Sequence, residues 1–183
     1  PASARNFGAR KAKGEFLAFI DDDCQANSDW LQTLADRFAT AQDVAIGGRV
    51  INILSNNLYS TASQLLIQYL YGHYNTNPNE ARFLTSNNLA MPADRFWAIG
   101  GFDTTFPLPA AEDRDFCDRW LHHGYRMIYD PEGVVYHAQV HTVITYLRQH
   151  SNYGRGAFKF HLARTRRGQG PIMIEPLSFY LNL

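Results

Sequence analysis

Phe16-Leu17-Ala18-Phe19-Ile20 is an unbroken apolar run that stops at Asp21-Asp22-Asp23. Such a run suits a strand buried on both faces, the kind found in parallel sheets covered by helices. Upstream, residues 2–13 read as a helix closed by Gly14. Downstream, Ser28 is placed to cap a helix running to about Ala41, with Trp30, Leu31, Leu34, Ala35 and Phe38 on one face. Val44 to Ile51 is the next strand. Leu58 to Tyr71 carries Leu58, Ala62, Leu65, Leu66 and Tyr69 at helical spacing, and Gly72 to Glu80 reads as loop. Phe83 to Met91 predicts a strand interrupted at Ser86-Asn87-Asn88, then a short helix with Pro92 at its start. A loop with Pro107 and Pro109 precedes a helix from Glu112 to His123 that stops at Gly124. Two short strands follow, near Arg126–Tyr129 and Val134–Ala138, and a basic helical region spans about Thr142 to Arg164. This alternation predicts an α/β fold with a mixed, mainly parallel sheet flanked by helices.

Composition narrows the function. The 183 residues suffice for one domain, and 45% hydrophobic with 14% aromatic content is globular. Lysine plus arginine and aspartate plus glutamate number 17 each, which gives no case for a nucleic-acid partner. Arg148, Arg155, Lys159, Arg164, Arg166 and Arg167 form an acid-free basic stretch. It reads as a solvated face or as a site of attraction to phosphates or an anionic membrane. With the apolar tail Pro171 to Leu183, it suggests a cytoplasm-facing domain with possible peripheral membrane contact. Cys24 and Cys117 fit no metal-finger or redox spacing, which favours a reducing compartment. Cys117 is expected to be a small buried hydrophobe.

Two acidic clusters carry the candidate chemistry. Three consecutive aspartates at a strand end repel one another and call for a cation. Ligands of open α/β sheets sit at such carboxyl ends, and hard oxygen donors suit Mg²⁺ or Mn²⁺. If the chain stays extended, Asp21 and Asp23 point the same way and share a ligand set. The plainer alternative is that Asp22 and Asp23 cap the following loop. The second cluster, Glu112-Asp113-Arg114-Asp115, opens a helix behind the proline-rich loop, which reads as a rim. Acids suit a first helical turn on their own account. A carboxylate there is also placed to accept a proton from a hydroxyl nucleophile, while Asp115 and Arg119 pair four residues apart. His137 ends a short apolar strand, where a lone histidine is more often structural than a ligand.

In order along the chain, these segments resemble the family-2 glycosyltransferases, inverting enzymes of the GT-A (Rossmann-like) fold. The resemblance spans about residues 2–160. Ala4-Arg5-Asn6-Phe7-Gly8 and Gly14-Glu15-Phe16 lead into Asp21-Asp22-Asp23, like that family's approach to its Asp-x-Asp motif. Asn88-Leu89-Ala90 and Gly100-Gly101-Phe102-Asp103 are similar to its acceptor-side segment. Glu112-Asp113-x-Asp115-Phe116 is similar to its catalytic helix, and Gly124 to His137 to its closing strand. The resemblance implies a nucleotide-sugar donor and a saccharide or lipid-linked acceptor. Asp113 would be the base with Glu112 beside it. Arg5, Asp21, Asp22 and Asn88 would lie at the donor, and Asp21, Asp23 and His137 at a divalent cation.

That family normally begins with about two further strand–helix units, so the chain reads as N-terminally truncated. Residues 1–165 are then the C-terminal part of one glycosyltransferase domain, and 166–183 a tail. A glycoside hydrolase also needs two carboxylates, but the aspartate triplet fits it less well. A phosphoryl-transfer enzyme would be expected to carry a glycine-rich phosphate loop. The non-enzymatic alternative is a truncated module that binds carbohydrate or a partner without turnover.

Overall fold

A computed structural model describes every residue except Pro107, Pro109, Met173, Asn182 and Leu183. In chain order the elements are α1 (Ala2–Lys11), β1 (Phe16–Ile20), β2 (Cys24–Ala26), α2 (Trp30–Thr40), β3 (Val44–Asn52) and α3 (Leu58–Tyr74). A 3-10 turn (Pro78–Glu80) follows, then β4 (Asn88–Pro92), α4 (Ala93–Ala98), α5 (Glu112–His122), β5 (Arg126–His137), α6 (Val143–Arg166) and α7 (Leu177–Leu181).

The five strands form one sheet in the order β1-β4-β3-β5-β2. The mixed α/β architecture agrees with the sequence reading, but the expectation of a mainly parallel sheet does not hold. Among the described residues only β3 and β5 pair in parallel; β1–β4, β3–β4 and β2–β5 are antiparallel. The apolar run behind that expectation lies at an edge. Leu17 is buried, whereas Phe16 and Ile20 are exposed on the other face, Phe16 stacking on Phe38 with ring centroids 4.1 Å apart. Strand direction is set by the connections, and a run of apolar residues does not encode it.

Side-chain alternation along the central strands feeds two cores. Val44 and Ile46 of β3, with Ala90 of β4 and Val135 of β5, pack beneath Trp30, Leu34 and Phe38 of α2. Ala45, Leu89, Met91 and Met127 point the other way, into the larger core with Phe96, Phe102, Phe116 and Trp120. There Phe102 stacks on Phe116 at 4.6 Å. Cys117 is buried as expected, its thiol donating to the Leu84 carbonyl at 3.4 Å.

Several boundaries differ from the sequence reading. The two strands expected near residues 126 and 134 are one strand, bulged where the register jumps between Gly48 and Arg49. Gly48 makes the bulge possible, because a Cβ there would lie 1.9 Å from the Gly133 carbonyl oxygen. The expected loop from Gly72 begins inside α3, which runs on to Tyr74. Asp29, not Ser28, stands at the α2 N-cap. Ala12 ends α1 in an extended conformation, so Gly14 is not its cap. On α2, Leu31 faces solvent instead of the core.

The basic stretch is partly neutralised by the fold. Arg167 pairs with Asp115 at 2.7 Å, and Arg164 with Asp118 at 3.1 Å. The tail returns onto α3: Phe179 is buried against Tyr69, His73 and Tyr74, and Glu175 accepts from Tyr74 Oη at 2.7 Å. Pro107 and Pro109 of the expected rim, and Met173, Asn182 and Leu183 of the tail, lie outside the described residues. Among the described residues, no helix is long and apolar enough to cross a membrane.

Candidate active site

A cavity of about 470 Å³ opens where the end of β1, the start of α5, α3 and α6 meet. It gathers most of the residues expected from sequence: Arg5, Asp21, Asp23, Glu112, Asp113 and His137 all line it.

Arg5 ties the two acidic clusters together. Projecting from α1, it donates to Asp21 Oδ1 at 2.8 Å and to Glu112 Oε1 at 3.1 Å. Its guanidinium also lies 5.6 Å from the centre of the Phe102 ring. Burial works to lower its proton affinity, but Asp113, Asp21 and Glu112 outweigh this and raise it. The cation therefore stays fixed among three carboxylates that lie up to 108 positions from it in sequence.

Asp21 and Asp23 do face the same cavity, though not by strand alternation. The strand ends at Ile20 and the chain turns, with the Cys24 N–H donating to the Asp21 carbonyl at 3.1 Å. Asp22 sits exposed on that turn and does not line the cavity. The turn leads into β2, whose antiparallel pairing sets Cys24 opposite His137. His137 Nε2 consequently lies 3.2 Å from Asp23 Oδ2. Asp23, Cys24 and His137 bring their ligand atoms within 4.8 Å of one another. Asp23 and His137 offer an oxygen and an imidazole nitrogen suited to a divalent ion such as Mn²⁺, whereas a thiol is a softer donor that favours other metals. The fit is less good for a pure oxygen-seeker such as Mg²⁺. Burial, then the charges of Asp23 and Asp21, push the Cys24 thiol up to about 12. Sequence reasoning missed Cys24 because its partner is a cross-strand neighbour over a hundred residues away.

On the facing wall, Asp113 accepts a hydrogen bond from the Ser86 N–H at 3.0 Å. Burial, followed by the charge of Glu112, pushes its carboxyl up to about 7, against the opposing pull of Arg5 and Ser86. A carboxylate tuned close to neutrality is suited to exchange a proton at physiological pH. Neighbouring Glu112 is buried and engaged by Arg5. Asp115 points away from the cavity into ion pairs with Arg119 and Arg167, as its spacing from Arg119 foretold. Ala111, just before the helix, adopts φ 68°, the left-handed region. For a non-glycine residue this costs about 1–2 kcal/mol, strain of the kind that clusters at functional sites. α6 closes on this turn through Gly156, where a Cβ would lie 2.7 Å from the Ala110 carbonyl oxygen.

Asn88 is taken out of the cavity. It accepts from Trp30 Nε1 at 2.9 Å and donates to the carbonyls of Gly133 and Arg49 at 2.7 and 3.1 Å, bracing β4 against the bulge. Ser86 and Asn87, just before it, line the cavity instead. Among the further polar residues that reach it unanticipated are Gln139, His141, Gln149 and Tyr153. Gln149 donates to the Tyr153 hydroxyl at 2.7 Å. Burial, followed by His137, lowers the proton affinity of His141. No local motif marks these four; the only signal is a polar residue recurring on one side of a helix or loop beside His137.

The same fold recurs among known glycosyltransferases. A mannosyltransferase from Pyrobaculum calidifontis, solved with GDP-Man and Mn²⁺, superposes with a TM-score of 0.65 at 17% identity, over 91% of this chain and 44% of that one. The architecture is thus of the GT-A type. In sequence, the chain is 24% identical over 161 residues to a pre-mycofactocin glycosyltransferase of Mycobacterium tuberculosis, covering 86% of this chain and 34% of that protein. It is 28% identical over 144 residues to a glucosyl-dolichyl phosphate glucuronosyltransferase of Haloferax volcanii, covering 73% and 46%. The chain therefore spans less than half the length of either relative. Residues 1–100, more than half of the chain, match the family model for glycosyl transferase family 2, and the chain belongs to that family.

Proposed function

We propose that the protein transfers a sugar from a nucleotide-diphosphate sugar to an acceptor hydroxyl, with inversion at the anomeric carbon. The observation that carries this reading is the placement of Asp113, pushed up to about 7, in the same cavity as the Asp23–His137 pair. Asp113 takes the proton of the attacking hydroxyl, and one displacement from the face opposite the nucleotide inverts the centre. Asp23 and His137, with Cys24 at hand, hold the divalent cation. When bound, that cation offers Lewis-acid stabilisation to a departing diphosphate. Arg5 keeps Asp21 and Glu112 in place and supplies positive charge beside the donor. Asp22 and Asn88 have no part in it, given where they lie. The saccharide or lipid-linked acceptor enters from the α3–α6 side. Arg148, Arg155 and Arg166 remain exposed on α6, and peripheral contact with an anionic membrane is part of the same reading.

A panel of nucleotide sugars with an alkyl glycoside as acceptor, and with Mn²⁺, Mg²⁺ or chelator, tests it. Release of nucleoside diphosphate should need both one donor and a cation, and the anomeric proton coupling of the product should report inversion. Retained configuration rules out the single displacement. Turnover undiminished in chelator rules out the cation.

A further inference from the structure

The cavity has two kinds of lining. The carboxylates, Arg5 and His137 come from α1, the turn after β1, the start of α5 and the end of β5, whereas Leu66, Ile67 and Leu70 of α3, Ala157 of α6 and Phe179 of α7 are apolar. The three α3 side chains are only half-buried; Ile67 also packs on the larger core, and all three line the open cavity. Apolar surface left uncovered within a concave site is what an apolar ligand group covers with gain.

Gly154, an exposed residue, borders the same cavity. It lies inside α6 and lines the cavity, where a glycine weakens a helix relative to alanine. Gly156, two residues on, has a packing reason in its close approach to Ala110, but a Cβ on Gly154 would meet nothing within 4 Å. The fold does not need that glycine. The free space it leaves lies next to Tyr153, on the helix that also supplies Ala157 to the apolar lining.

We propose that the acceptor carries an apolar aglycone, an alkyl or aryl group, and that this group lies in the channel between α3, α6 and α7 over Gly154. The word acceptor rests on the transferase reading; the channel itself does not. The polar lining then receives the hydroxyl while the apolar lining holds what it is attached to. Phe179 closes the far side, anchored by Tyr69 Oη donating to its carbonyl at 2.9 Å.

Binding, not turnover, tests this. Calorimetry on the intact chain would compare methyl, phenyl and octyl β-glucosides, the last below its micellar concentration, so that only the aglycone changes. Octyl or phenyl glucoside should bind at least about tenfold tighter than methyl glucoside, as burial of two or more methylene equivalents implies. Whichever of the two leads identifies a chain or a ring. Gly154→Leu should raise or preserve the melting temperature and erase that advantage. Ala157→Phe, which fills the channel from one turn further on, should do the same. Equal affinities for all three glucosides overturn the proposal, as does an advantage that survives in both folded variants. A Gly154-dependent advantage without any donor turnover would leave the channel standing and remove the transferase reading.

Discussion

The two acidic clusters use the same side chains in opposite ways. After β1, the carboxylates sit at the mouth of a turn; Asp23 keeps 37% of its side chain exposed and leans on His137. At the start of α5, Glu112 keeps only 4%, and burial drives Asp113 to about 7. Water and an imidazole make the first cluster a place to receive a cation. Burial makes the second a place to hold and release a proton. Residue type is shared and environment decides the role. The difference can be attacked one residue at a time.

Asp113→Asn should have the largest effect. It keeps the shape and the hydrogen bond from Ser86 while removing the basicity. Steady-state transfer should fall by about two to four orders of magnitude, with donor affinity changed by less than about twofold. In the unaltered protein the rate should climb with pH through about 7, as Asp113 ionises. Glu112→Gln should cost less. If Asp113→Asn stays active and Glu112→Gln is dead, the base is misassigned by one residue.

Asp23→Ala tests the other cluster. Calorimetry of Mn²⁺ in the presence of nucleoside diphosphate should show cation affinity reduced by at least about 100-fold, since a ligand counts for more than the supporting groups that give 10–100-fold losses. The same substitution should leave the titration of Asp113 almost unmoved. Asp22→Ala, on the exposed face of the turn, serves as the reference and should bind normally. Unchanged affinity in Asp23→Ala would move the cation elsewhere.

The contrast also appears in stability. In the folded chain Asp113 holds its proton up to about 7, whereas unfolded it releases it near the usual 3.8. Between those values the folded state binds more protons, so stability falls as pH rises and levels off above about 7. Asp113→Asn abolishes that loss. It should therefore be more stable than the parent at pH 8 and about equal to it near pH 4. Paired thermal melts at the two pH values measure this. A variant less stable at pH 8 would show that the carboxylate is held by its contacts and not strained by burial.

How much of this was legible in the chain follows the same line between local and distant causes. The helices over residues 30–40, 58–74 and 112–122 were visible because apolar spacing and an acidic first turn are local signals. Both acidic clusters and His137 were visible as residues, and the order of motifs carried the family. Strand direction was not, because β1 and β4 pair through a connection of nearly seventy residues. The bulge in β5 depends on Gly48 from a different strand. Asn88 carries the right neighbours in sequence, yet a tryptophan 58 positions away turns it inward. Cys24 joins His137 only through the β2–β5 register. In each case the deciding partner lies far along the chain, where composition and periodicity carry no information.

Arg5 is where the two clusters cease to be separate, and its replacement has the most direct bearing on the comparison. The guanidinium is bonded to Asp21 on one side and Glu112 on the other, and its charge holds the Asp113 carboxyl below where burial alone would leave it. Arg5→Met keeps much of the packing against Phe102 and removes that charge. Two consequences follow with the same sign. Asp113 loses an attractive cation, and Glu112 is left uncompensated beside it, so both changes favour the protonated form. The midpoint of the pH–rate profile should move upward by about one unit. Stability should drop by about 2 kcal/mol, less than the 3–5 kcal/mol of a fully buried broken pair because the site opens to water. Arg5→Lys restores a charge without the two-sided fork. It should return the midpoint most of the way while recovering only part of the stability. A midpoint that stays fixed in Arg5→Met, in a variant that still folds and turns over, would mean that Arg5 braces the cavity without tuning the base, and that the two clusters work independently.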